Sequence, residues 1–257
     1  PPREGRHRVF LDWERYVGAS VLDVGCGMGR WTATFAAVGA NVTSIDASAH
    51  AVESTSRYNP HTHQMTLFDL EKWPSSRQYD MVVAWGVIMH THDPRQAFHI
   101  LAERVNKGGG LLLQIYDTGT GAAFHHLRSL RKAYRELKTF EERIAMIQLV
   151  HDAVGFDVLD LLDAMNTAYN WVVPEETVKK WYTEAGFQDY IHLGKNTYLG
   201  MRKHTIPVTR DDHGLLTKPG WQAVQDPRIF ALWIDREELE YRDLIVDLNR
   251  KKARVSL

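Results

Sequence analysis

The sequence predicts an α/β protein, a doubly wound seven-stranded sheet with an antiparallel last strand and a helical insertion. Three observations predict it. From Ala19 to about Arg202, short β-rich apolar runs alternate with helix-like stretches. The last two runs are separated by only Gly194-Lys195-Asn196, too few residues for a crossover helix, so they pair as an antiparallel hairpin. Between Thr118 and Trp171 the chain has no strand character, and its apolar residues fall at helical spacing.

The expected strands are Ser20–Val24, Asn41–Ile45, Gln64–Phe68, Met81–Trp85, Gly110–Tyr116, Tyr190–Leu193 and Thr197–Met201. Each is a short β-rich apolar run. Residues 118–171 form the expected helical insertion, and residues 1–204 with it one domain. Residues 205–257 form an extension with a loop-like run and a helix from about Asp235 to Lys252. Acidic residues open that helix and basic ones end it, which complements the helix dipole and suits a docked or oligomer-forming element. An RNA-contacting tail is the sharper alternative, resting on the terminal cations Arg250, Lys251, Lys252 and Arg254.

Composition excludes several classes. With 257 residues, 44% apolar, 25% charged and a formal net charge of -1, the chain is neither disordered nor collagenous and has no global basic field to hold nucleic acid. Its one cysteine, Cys26, rules out an intramolecular disulfide and a Cys-rich zinc site, and fits a reducing compartment. Apolar stretches such as Met81–Met89 fall short of the ~20 residues of a membrane span. The first residues lack the apolar core of a secretory signal. These readings predict a soluble, cytoplasmic protein with no membrane partner.

The sharpest chemical signal is Val21-Leu22-Asp23-Val24-Gly25-Cys26-Gly27-Met28-Gly29, a strand running into a glycine-rich turn and a helix. The glycines let the backbone turn tightly and approach a ligand. A dinucleotide fingerprint would read G-x-G-x-x-G and set a pyrophosphate on the helix N-terminus. Here a carboxylate precedes the first glycine by two residues, which disfavours a pyrophosphate and favours an amino group. Asp46 ends the second expected strand, where it can accept both hydroxyls of a ribose. Asp69, after the third, can accept from an exocyclic amine. Taken singly, each of these aspartates could equally be a solvated loop residue or a helix N-cap.

Together these residues resemble the class I S-adenosylmethionine-dependent methyltransferase family, whose motif reads [DE]-x-G-x-G-x-G. The resemblance implies a Rossmann-like methyltransferase fold, with S-adenosyl-L-methionine as cofactor. It implies that Asp23 faces the methionyl amino group, that Gly25, Cys26 and Gly27 pass beneath the cofactor, that Asp46 holds the ribose, and that Asp69 with Leu70 meets the adenine. Trp85 and Gly86 would lie near the methionine portion.

The run Gly86-Val87-Ile88-Met89-His90-Thr91-His92-Asp93-Pro94 is similar to the "GVLHHTPDP" of a small-molecule subgroup, with Met89 for its first His and His92 for its Pro. The subgroup's Lys-Pro-Gly-Gly turn before the fifth strand reads Lys107-Gly108-Gly109-Gly110 here. Methyl transfer needs alignment and, for some acceptors, removal of a proton, so His90 and His92 are candidate general bases. The alternative makes His90 a packing residue and His92 a loop residue before the Asp93-Pro94 helix opening. No metal is expected, as neither Cys nor H-E-x-x-H lies nearby.

By family position the insertion covers the acceptor, so Asp163, Tyr169, Asn170, Trp171 and Tyr116 are candidate substrate-binding residues; a capping subdomain alone is the plainer reading. Pro174 to Gly186 reads as a helix with Val178, Trp181 and Phe187 in the core. The sequence thus implies a methyltransferase acting on an oxygen or nitrogen of a small-molecule acceptor such as a natural product or sugar. The competing readings are a tRNA or rRNA methyltransferase, a non-catalytic scaffold that binds S-adenosylmethionine, and, disfavoured by its glycine spacing, an NAD-dependent oxidoreductase.

Overall fold

The structure is a computed structural model and describes residues 16–116, 128–156, 158–194 and 196–202. The expected extension 205–257, with its helix at 235–252, lies outside the described residues, as does the start of the insertion. Seven strands form one sheet: β1 (Ser20–Val24), β2 (Asn41–Asp46), β3 (Thr62–Gln64), β4 (Tyr79–Trp85), β5 (Val105–Gln114), β6 (Asp189–Gly194) and β7 (Thr197–Met201), in the order β3-β2-β1-β4-β5-β7-β6. Helices α1 (Arg30–Ala37), α2 (Ala49–Ser56) and α3 (Pro94–Glu103) connect the parallel strands, followed by α4 (Arg128–Glu136), α5 (Phe140–Val154), α6 (Val158–Asn166) and α7 (Glu175–Glu184). The chain divides into two compact units, described here over residues 16–65 and 66–202.

In the first unit β1 pairs parallel with β2, and β2 with β3. Val21, Leu22, Val24 and Ile45 are buried, as expected of strands covered on both faces. The third strand departs from expectation. It covers Thr62–Gln64 instead of Gln64–Phe68, and residues Leu67–Lys72, in the second unit, form a 3₁₀ turn. The reason is local: Thr66 and Asp69 make a reciprocal capping box, which starts a helical turn where the apolar pattern suggested a strand.

In the second unit β4 and β5 are parallel, β5 and β7 antiparallel, and β6 and β7 form the expected antiparallel hairpin. Gly108, Gly109 and Gly110 do not form a turn before β5. They lie within it, because β5 starts at Val105 and the pairing shifts from Tyr79↔Val105 to Met81↔Gly110, a bulge tied by Asn106 Nδ2 donating to Asp80 Oδ1 at 3.0 Å. At its other end β5 stops at Gln114, so Tyr116 stands two residues beyond the strand.

The core of this unit packs Met81, Val82, Val83, Ala84, Leu111, Leu112 and Leu113, all fully buried. Asp93 caps α3 by accepting from Gln96 N at 2.9 Å with Pro94 at the first helical position, so α3 presents Ala97, Phe98 and Leu101 to the core. Helix α7 buries Val178 and Trp181, and Phe187 is buried beyond it, as the sequence predicts; Tyr182 is buried as well. The Tyr182 ring meets Phe98 edge-on at 4.9 Å, and its hydroxyl donates to the Leu111 carbonyl at 3.1 Å. Gly200 makes this fit possible, since a Cβ there would stand 2.2 Å from Tyr182 Cδ1. The described part of the insertion is helical, as expected. No helix among the described residues is long and apolar enough to cross a membrane.

Candidate active site

In the first unit the turn after β1 is held from below. Gly25 N and Cys26 N both donate to the Ile45 carbonyl, at 2.8 and 3.0 Å, and Gly27 N donates to Asp46 Oδ2 at 2.9 Å. Gly25 and Gly27 have φ of 65° and 54°, the left-handed region that side chains resist. A Cβ on Gly27 would meet nothing within 4 Å. The space before this glycine is therefore open, and its φ is the reason for its identity.

Asp46, the last residue of β2, is fixed by two backbone donors, one on each oxygen: Gly27 N and, at 2.8 Å, Ser48 N. Each oxygen keeps a lone pair, so the carboxylate is a preset acceptor for two further donors. Asp23, only 1% exposed, lies deeper. Thr32 Oγ1 donates to Asp23 Oδ2 at 2.6 Å. Having spent its proton there, Thr32 must accept from Ser44 Oγ at 2.7 Å, and Asn59 Nδ2 donates to Ser44 Oγ at 3.1 Å. All donors thus point toward the carboxylate. Burial nevertheless pushes Asp23 up to about 6, outweighing the Thr32 donation. Burial, with Asp23 nearby, pushes the Cys26 thiol up to about 12, so it is inert as a nucleophile. Thr32, Ser44 and Asn59 were not singled out in the sequence; their roles depend on three elements packing together.

In the second unit Asp69 sits in the 3₁₀ turn rather than at a strand end. Its Oδ2 accepts from Thr66 N at 2.9 Å and Thr66 Oγ1 at 2.7 Å, and its Oδ1 from Lys72 Nζ at 2.6 Å. Lys72 and Thr66 hold this carboxyl well below the usual carboxylate range. Leu70 is fully buried. Trp85 and Gly86 are half-buried at the end of β4, where Gly86 N donates to the Gln114 carbonyl at 3.2 Å.

The two histidines diverge. The His92 ring lies on Phe68 at 4.4 Å. His90 is half-buried, meets the Tyr116 ring edge-on at 5.5 Å and places Nδ1 3.0 Å from the Tyr169 carbonyl. A carbonyl only accepts, so Nδ1 carries the proton and Nε2 is the lone-pair nitrogen. Burial lowers the His90 pKa, and the positive charge of Arg131 lowers it further against the opposing Tyr169 contact.

Residues 169–173 are laced onto this region. Trp171 N donates to Met89 O at 3.0 Å, Trp171 Nε1 to Thr91 O at 2.9 Å and Val173 N to Tyr116 O at 2.8 Å. Tyr169 and Trp171, 43% and 45% exposed, lie parallel with ring centroids 6.5 Å apart. Asn170 Oδ1 is buried without a hydrogen-bond partner among the described residues. Of the predicted residues, His90, Tyr116, Tyr169, Asn170 and Trp171 are thus brought together and His92 is not. Asp163 belongs to α6, and its side chain lies outside the described residues. Among the described residues no group of three or more His, Cys, Asp or Glu is placed to hold a metal ion. Arg131 and Arg135, beside the 167–170 segment, went unnoticed in the sequence, where their spacing of four on a helix was the available signal.

A family model for a methyltransferase domain matches residues 3–192. The ubiquinone biosynthesis O-methyltransferase of Erwinia tasmaniensis is 34% identical over 157 residues, covering 52% of this chain and 63% of the relative. The mitochondrial ubiquinone biosynthesis O-methyltransferase of Schizosaccharomyces pombe is 30% identical over 111 residues, covering 41% and 40%. The chain spans less than two thirds of the length of these curated relatives. Among solved structures, PKMT2 from Rickettsia typhi aligns with a TM-score of 0.52 at 14% identity, over 72% of this chain and 43% of that one, a likeness of fold. With the family model running across most of its length, beneath the glycine turn and the strand order already described, the chain belongs to the methyltransferase-domain family.

Proposed function

We propose that this protein is an S-adenosylmethionine-dependent methyltransferase that acts on an oxygen or nitrogen of a small-molecule acceptor. The observation that carries the reading is the joining of His90, Tyr116, Tyr169 and Trp171 by the 169–173 segment: His90 gives Nδ1 to the Tyr169 carbonyl, which leaves Nε2 as the lone-pair nitrogen, and the Tyr169 and Trp171 rings lie parallel and exposed. The names of the curated relatives support oxygen as the attacking atom.

The residues of the first unit fit the cofactor. Asp23 is a buried carboxylate whose own donors do not offset its burial, as suits a group that gains an ammonium partner. The open space before Gly27 suits a close-lying ligand, and Asp46 has an acceptor site on each oxygen for a ribose diol. In the second unit we assign the turn of Asp69 and Leu70 to the adenine and Trp85 with Gly86 to the methionine portion. When bound, the cofactor supplies an electrophilic methyl group on a sulfonium.

The chain's own residues supply the rest. Tyr169 and Trp171 stack on a planar acceptor and orient it. Asn170 Oδ1 takes a donor from the acceptor, which satisfies a buried acceptor atom. His90 Nε2 would take the acceptor proton, its lowered pKa keeping it neutral at physiological pH. Calorimetry with S-adenosylmethionine and S-adenosylhomocysteine, followed by turnover with a panel of phenolic, amine and sugar acceptors, tests the reading. Micromolar binding with turnover of one class is expected; no binding of either cofactor form at high micromolar concentration refutes it.

A further inference from the structure

Helix α6 ends at Asn166, and its last turn contains no basic residue of its own. The last carbonyls of a helix lack intrahelical donors and carry partial negative charge. Here the donors come from another helix. Arg131 Nη1 donates to the Ala164 carbonyl, and Arg131 Nη2 donates to the Thr167 carbonyl at 2.8 Å. Arg135 Nη2 donates to the Thr167 and Ala168 carbonyls at 2.9 and 2.8 Å. Tyr134, between them, donates its hydroxyl to Asn166 Oδ1. One face of α4 therefore caps α6 and clamps the chain just before Tyr169. Tyr169 is the residue whose carbonyl receives the His90 Nδ1 proton.

We propose that Arg131 and Arg135 are positioning residues for His90: by clamping residues 164–168 they hold the Tyr169 carbonyl in place, so that the imidazole is locked as its Nδ1–H tautomer with Nε2 as the base. The proposal rests on the reading of His90 as the proton acceptor. The two arginines divide the work. Arg131 fixes two carbonyls with both terminal nitrogens of its planar fork, a geometry that a lysine ammonium does not reproduce, while Arg135 reaches two carbonyls from Nη2 alone. Arg131 alone adds a charge that disfavours the imidazolium. Among the described residues the titratable groups at His90 are Arg131 of α4 and Tyr116 beyond β5; on its own segment His92 turns to Phe68. Arg131 also feels Arg135 and Tyr116, and among the described residues no carboxylate acts on the imidazole. A neutral His90 with a fixed proton is the outcome of that arrangement.

The test is nitrogen-15 NMR of the histidine rings in the full chain, titrated with pH, with the His90 resonances identified by their loss in His90→Gln. In the wild type the Nδ1–H form dominates and the ring titrates below its ordinary value. In Arg131→Gln the Nε2–H form appears and the acid constant falls about threefold, the effect of removing one charge at medium range. In Arg131→Lys the acid constant stays near the wild-type value while the Nε2–H form still appears. In Arg135→Gln, at an exposed position, the tautomer mixture appears without a change in acid constant. A folded Arg135→Gln or Arg131→Gln with wild-type tautomer and titration overturns the proposal, and Arg135→Gln decides it should Arg131→Gln fail to fold. Cofactor calorimetry on the same samples separates the two readings: unchanged His90 spectra with intact binding defeat the clamp alone, whereas absent binding in the wild type defeats methyl transfer.

Discussion

Replacing Asp23 by Asn removes a titration from the centre of the first unit. In the folded chain the carboxyl is pushed up from 3.8 to about 6, with burial the largest cause. The sign follows from proton counting: between those two values the native state binds more protons than the unfolded chain, so stability falls as pH rises. The stability associated with the protonated native carboxyl is fully present below about 3.8 and is lost as pH rises through about 6. A difference of about two pH units at 1.36 kcal/mol each is about 3 kcal/mol. Asn does not titrate. The stability difference between Asp23→Asn and wild type should therefore move by about 2–3 kcal/mol in favour of the variant between pH 4 and pH 7.5. Urea denaturation of both proteins at the two pH values reads this directly, and any pH-independent change from the altered Thr32 hydrogen bond cancels in the comparison. A difference that stays constant across that range would refute the account of Asp23 as an ionised group strained by burial. The same linkage reaches the cofactor: if an ammonium pairs with this carboxylate, binding expels a proton below pH 6, and affinity should drop about fivefold as pH falls from 6 to 5.

Asp46→Ala should weaken S-adenosylhomocysteine binding by roughly 1–3 kcal/mol, since two charge-assisted acceptor sites disappear; unchanged affinity in calorimetry removes Asp46 from the site. His90→Ala should lower turnover by about 100-fold or more near neutral pH with cofactor affinity retained, and wild-type turnover across pH 6–9 would leave alignment as the sole catalytic device. Gly200→Ala forces a methyl into the Tyr182 ring and should destabilise the fold by about 1–3 kcal/mol in thermal or urea unfolding; a neutral result would mean that the ring has room to move.

Several elements were legible because their causes are local. The strand β1, the hairpin of β6 and β7 and the Asp93-Pro94 helix start each depend on residues within a few positions of one another. The third strand was misplaced because Leu67 and Phe68 look alike to a strand pattern and to a capped 3₁₀ turn, and the Thr66–Asp69 reciprocity outweighed alternation. The start of β5 was missed because a bulge is a property of a pair of strands, and the glycine run by itself reads as a turn.

The amino-acid order alone thus specified the alternation of strands and helices, the reversed final hairpin and the acidic residue ahead of a glycine turn, all consequences of short-range sterics and periodicity. It left open what each polar side chain would meet. Asp23 is oriented by donors arriving from α1, β2 and the chain after α2, and His90 receives its acceptor from a carbonyl 79 residues away. Those partners are chosen by how helices and strands remote in the chain pack, and a residue's propensity carries no record of that packing.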